Sequence, residues 1–132
     1  MAMTATISLS PSTVQINQQI NATITVSNSG GSAVNVTSIQ MQSKFTGGSQ
    51  ENVGCAFGSP NLGPAAATSV AASGSTVFPV PLVFFAPSTG PIGTGSGTFD
   101  VGCIIQSSDG SVFSPTAATV TVNPISYLPN EL

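Results

Sequence analysis

Ile20, Ala22, Ile24 and Val26 alternate with Asn21, Thr23, Thr25 and Ser27. A strict period of two gives an extended strand one apolar and one polar face, and no helix sorts those residues the same way. The period recurs along the chain with turn residues between the runs, and no window carries a sustained 3.6-residue repeat with caps. Ala5, Ile7 and Leu9 alternate with Thr6 and Ser8; Ser10-Pro11-Ser12 breaks the run, and Val14 and Ile16 resume on the opposite parity. A one-residue change of parity turns every side chain over, so the first strand is predicted to cross from one sheet to the other at the proline. Asn28-Ser29-Gly30-Gly31-Ser32 predicts a turn of residues that tolerate positive φ.

Further along, Val34 and Val36 share one parity while Ile39 and Met41 share the other. One regular strand cannot bury both pairs, which predicts a β-bulge near Thr37-Ser38. Residues 46–74 are the least regular part, with a short strand expected only over Val53 to Phe57. From Thr76 to Phe85, the residues Phe78, Val80, Leu82 and Phe84 face one way. Pro79 and Pro81 share the other parity, so both missing amide protons fall on the same lateral side; this predicts a strand at a sheet edge. Phe99, Val101, Cys103 and Ile105 form another face, Ser107-Ser108-Asp109-Gly110 reads as a hairpin turn, and Phe113, Ala118, Val120 and Val122 return with a break at Pro115. About seven short strands of this kind predict an all-β fold, an immunoglobulin-like antiparallel β-sandwich. The expected organisation is a single domain over residues 1–132, with an N-terminal arm at 1–4 and a C-terminal tail at 124–132.

Only Lys44, Glu51, Asp100, Asp109 and Glu131 are charged, 4% of 132 residues, against about 25% in an ordinary domain. One lysine, no arginine and a net charge of −3 leave nothing to neutralise phosphates, so neither nucleic acid nor an anionic membrane surface is an expected partner. A Ser/Thr/Asn surface can instead lie against a protein neighbour without burying unpaired charge. There is no histidine, so the commonest general base and metal ligand is missing. The four carboxylates are scattered, and Gly93-Thr94-Gly95-Ser96-Gly97-Thr98 lacks the Gly-Lys-Ser/Thr ending of a phosphate loop. The expectation is a protein that is not an enzyme and takes no cofactor or metal. Met1-Ala2-Met3-Thr4 has no basic or long apolar run, so no signal peptide is expected and synthesis in a cytoplasm is.

Two features remain open to binding or structural roles. Cys55 and Cys103 could close a disulfide around a loop of about fifty residues, contributing roughly 4 kcal/mol in the chain-entropy model, or act as two buried thiols. Val77, Val83 and Phe85 lie opposite the core-facing residues of their strand, and the tail carries Ile125, Tyr127, Leu128 and Leu132. Both parities of that strand are therefore apolar, and one needs a cover, from the tail or from another subunit.

The runs Ile7-Ser8-Leu9-Ser10-Pro11-Ser12 and Ile20 to Gly30, with Thr119-Val120-Thr121-Val122 near the end, resemble bacterial immunoglobulin-like repeat domains of the CARDB type. With neither tandem copies nor a leader expected, the chain is also similar to the free-standing immunoglobulin-like proteins of bacteriophage virions. That resemblance implies a decoration or cement protein whose partner is a major capsid or tail protein, with its own copies associating as trimers. The alternative it implies is a domain of a secreted bacterial adhesin or surface layer.

Overall fold

The computed structural model describes residues 3–48, 53–60, 62–64, 66–85 and 96–123. Ten strands follow in order: β1 Met3–Ser10, β2 Thr13–Gln15, β3 Gln19–Asn28, β4 Val34–Gly48, β5 Gly54–Phe57, β6 Ser69–Val70, β7 Gly74–Phe85, β8 Gly97–Ser107, β9 Val112–Phe113 and β10 Ala118–Asn123. There is no helix among the described residues. The strands make two sheets, one ordered β1-β3-β7-β5 and the other β2-β10-β8-β4-β6 with β9 added to β8. Their inner faces meet in a β-sandwich core of Val, Ile, Leu and Phe.

The parity change at Ser10-Pro11-Ser12 is the predicted sheet switch. β1 pairs with β3 from Met3↔Asn28 to Ser10↔Asn21; β2 then pairs with β10 in the other sheet, Val14 opposite Val122. That second pairing is parallel, a departure from the all-antiparallel expectation. The chain crosses between sheets without reversing direction, so it reaches β10 running the same way. Met3 is buried and is the first residue of β1 with Thr4 beside it, so these two belong to the sheet rather than to an arm. Just past β2, Ile16 N donates to Asn123 O and Asn17 N to Phe84 O, tying the sheets together at that end.

β3 buries Ile20, Ala22, Ile24 and Val26 in strict alternation. β4 shows the predicted irregularity, a register shift against β8 between Val36 and Ser38, and a second between Phe45 and Gly47. The turn after β3 works differently from expectation. Neither Gly30 nor Gly31 has a positive φ; the Asn28 side chain shapes the turn, accepting from Gly30 N at 2.9 Å and donating to Ser32 O at 2.8 Å. The Asp109-Gly110 hairpin forms as predicted, with Gly110 at φ 89° and Asp109 Oδ1 accepting from Ser111 N at 2.9 Å. Those Ser111 hydrogen bonds hold the Asp109 carboxyl below its usual range.

The edge assignment for β7 needs correction. β7 pairs with β3 from Gly74 to Val83, Gln19↔Val83 to Asn28↔Gly74, and on its other side with β5, Gly54↔Phe85 to Phe57↔Leu82. It has a strand on both sides at Leu82 and Val83, and on the β5 side it is an edge before Leu82. The lateral argument about the prolines still locates the boundary. Gly58 N donates to Pro81 O at 2.7 Å, so Pro81 turns its carbonyl, and the nitrogen without a proton, toward β5. β5 pairing stops at Leu82, where the next donor from β7 on that side is missing.

Candidate functional site

β7 is apolar on both faces. Inward, Phe78, Val80, Leu82 and Phe84 are buried, and the Phe84 ring packs on Phe99 with centroids 4.9 Å apart. Outward, Val77 is 55% exposed and Phe85 41% exposed; Pro79 is exposed, and Pro81 and Val83 are half-buried. These five residues run as one strip along the solvent face of the β1-β3-β7-β5 sheet.

Register supplies the borders of the strip. On the β3 side its neighbours are Thr25, Thr23, Asn21 and Gln19, opposite Val77, Pro79, Pro81 and Val83 in turn. On the β5 side Ala56 faces Val83 and Gly54 faces Phe85. A Cβ built on Gly54 would stand 2.6 Å from Phe85 Cζ, and one on Gly58 2.5 Å from Pro81 Cγ. The aromatic ring and the proline ring therefore lie down on bare backbone, the arrangement in which an aromatic shields a cross-strand glycine. A depression of about 230 Å³ opens beside them, lined by Gln19, Ala56, Phe57, Gly58, Pro81, Leu82 and Val83.

Among the described residues, no charged one belongs to this face. Lys44 and Asp100 are register partners on β4 and β8 in the other sheet, where Asp100 accepts from Thr119 Oγ1 at 3.1 Å. Asp109 is in the hairpin turn, and Glu51 and Glu131 lie outside the described residues. The strip can thus contribute dispersion and the hydrophobic effect, framed by neutral hydrogen-bonding groups, and no acid–base chemistry. Among the described residues no three His, Cys, Asp or Glu gather as a metal site would require.

The sequence-derived interface residues divide. Val77, Val83 and Phe85 are together on the outer face; Ile125, Tyr127, Leu128 and Leu132 lie outside the described residues. Asn123 and Phe84, next to Phe85, both accept from the Ile16–Asn17 backbone, so Asn123 lies at the Phe85 end of the sandwich. The cysteines are free thiols. Cys55 is on β5 opposite Phe84 and Cys103 on β8 opposite Met41, in different sheets and against different core clusters. Burial pushes both thiols up to about 11, with a Ser43 hydrogen bond partly opposing this at Cys55. Gly54, Ala56 and Gly58 were missed as parts of the face, because their role is to lack bulk; only the register against β7 reveals it.

No family model matches the chain, and no curated protein matches it in sequence. Among solved structures it is similar to the sporulation control protein Spo0M from Bacillus subtilis, at 15% identity and a TM-score of 0.56, over 93% of this chain and 50% of that one. It is also similar to the SrpA adhesin from Streptococcus sanguinis, at 14% identity and a TM-score of 0.46, over 95% and 59% of the two chains. The YadV chaperone matches at 13% identity and a TM-score of 0.40, over 99% and 57%. The chain spans between half and three fifths of the length of these proteins. The likeness to Spo0M shows the β-sandwich fold.

Proposed function

We propose that this chain is a non-catalytic structural module that works by burying the outer face of β7 and β5 against a protein neighbour. The observation that carries the reading is the strip from Val77 to Phe85, apolar on the solvent side of a sheet whose inner side already fills the core. A surface with this little charge loses little by desolvation when it is covered, and half-exposed Val and Phe side chains are suitable anchors for such a contact. The assembly proposed is a bacteriophage virion, with a capsid or tail subunit as the neighbour; the resemblance to virion decoration proteins supports that placement.

The test is to purify particles from the source, identify the chain in them by mass spectrometry, and measure rebinding to particles stripped of it. Phe85→Ser together with Val77→Ser is expected to weaken rebinding at least tenfold, since each removes about 1 kcal/mol or more of buried apolar surface. Recovery of the chain from the bacterial cell surface, and never from particles, would replace the virion by the adhesin alternative. Unchanged rebinding by the double variant would remove this face from the mechanism.

A further inference from the structure

β1 is an edge strand without the protections found on the other edges of the molecule. Proteins blunt free edges with shortness, proline, bulges or charge, because unpaired backbone groups recruit other strands. β2 has three residues and β5 four. β7 carries Pro79 and Pro81 on its open side, and β4, beyond its short pairing with β6, has two register shifts and Lys44. β1 runs eight residues, Met3–Ser10, in unbroken register with β3, with no proline, bulge or charge. No backbone hydrogen bond reaches its outer side among the described residues.

Its side chains also leave a gap. Ala5, Ile7 and Leu9 point toward the core yet remain half-buried, whereas Ala22, Ile24 and Val26 on β3 beside them are fully buried. A further strand on that edge would cover them. The strand that fits is β1 itself. Residues opposite one another in an antiparallel pair share a face, so a two-fold axis at Ile7 sets Ile7 against its own copy, Ala5 against Leu9, and Thr6 against Ser8. Every inward pair is then apolar and every outward pair hydroxylic, and no like charges meet, since none of the five charged residues is in β1. A self-complementary patch of this kind is what an isologous dimer requires.

We infer that two copies of this chain pair antiparallel through β1, joining their four-stranded sheets into one continuous sheet. The inference is independent of the docking role of β7, which lies two strands away. Sedimentation equilibrium on the full chain is expected to give a dimer in reversible exchange with monomer. Hydrogen exchange on the unaltered chain should show alternate amides of β1 protected more strongly as concentration rises. The double variant Thr6→Lys, Ser8→Lys puts two like-charge pairs across the axis at exposed positions. It should raise the dissociation constant about tenfold, recover in part at high salt, and keep the melting temperature of the monomer. Gln40→Lys, an exposed change on β4, should leave the dimer intact. A monomer at every concentration, a trimer, a dimer indifferent to the β1 lysines, or concentration-independent exchange in β1 would each overturn the inference.

Discussion

Asn28→Ala tests whether one buried amide holds the β3–β4 turn to the rest of the sandwich. Asn28 is 2% exposed and uses its whole amide: Oδ1 accepts from Gly30 N at 2.9 Å, while Nδ2 donates to Ser32 O at 2.8 Å and to Val70 O at 3.1 Å. The last bond spans 42 positions in sequence and ends on a residue with no exposed surface, where water cannot replace the lost donor. That contact is worth about 1–2 kcal/mol, and the two half-buried ones about 0.5 kcal/mol each after rehydration. The expected loss is about 2–3 kcal/mol, which for a domain of this size lowers the melting temperature by roughly 10 °C. Urea unfolding followed by circular dichroism should show the midpoint fall with the slope unchanged. Asn28→Asp separates geometry from size, because a carboxylate still accepts from Gly30 but opposes two carbonyls. Burial raises the folded-state pKa of that Asp above its unfolded value, so the variant should be most stable in acid and lose stability as pH rises through the folded pKa. A loss under about 1 kcal/mol for Asn28→Ala would refute the reasoning, because the three bonds would then be replaceable by solvent.

Ser107 Oγ is buried without a hydrogen-bond partner among the described residues, so Ser107→Ala is expected to be neutral or to stabilise by about 1 kcal/mol in the same urea assay; a clear destabilisation would reveal a partner. Both thiols, raised to about 11 by burial, should resist a thiol reagent at pH 8 in the folded protein and react promptly in denaturant. Because their folded values lie above the ordinary 9.0, their contribution to stability is complete below pH 9 and is lost as pH rises toward 11, which thermal melts across that range will check. Replacing Pro79 and Pro81 by Thr restores two amide donors on the open side of β7, and light scattering should show aggregation that the parent chain lacks; a monodisperse variant would mean that some other feature guards that edge. Deleting residues 124–132 should leave the melting temperature in place and abolish particle binding if the tail docks; a much lower melting temperature with binding retained would make it part of the fold alone.

Much of the architecture is a property of single strands and was legible from them. The alternation in Ile20 to Val26, the switch at Pro11, the slip between Val36 and Ile39 and the turn at Asp109-Gly110 are local arrangements of side-chain parity or backbone type, and each appears where its residues are. The two apolar parities of β7 were equally plain, and with them the candidate face. What the tertiary structure alone decided is which strand lies beside which. Pro79 and Pro81 mark a lateral side without donors, but not that β5 would still pair beyond them at Leu82–Phe85. Nothing local in Gly54 or Gly58 shows that a ring will lie on it, nor in Asn28 that its amide will reach Val70. Side chains write the two faces of a strand into the sequence with a period of two. The lateral edges are made of N–H and C=O groups that nearly every residue carries alike, so strand order, the free edge of β1 and the company of β7 emerge only when the sheets assemble.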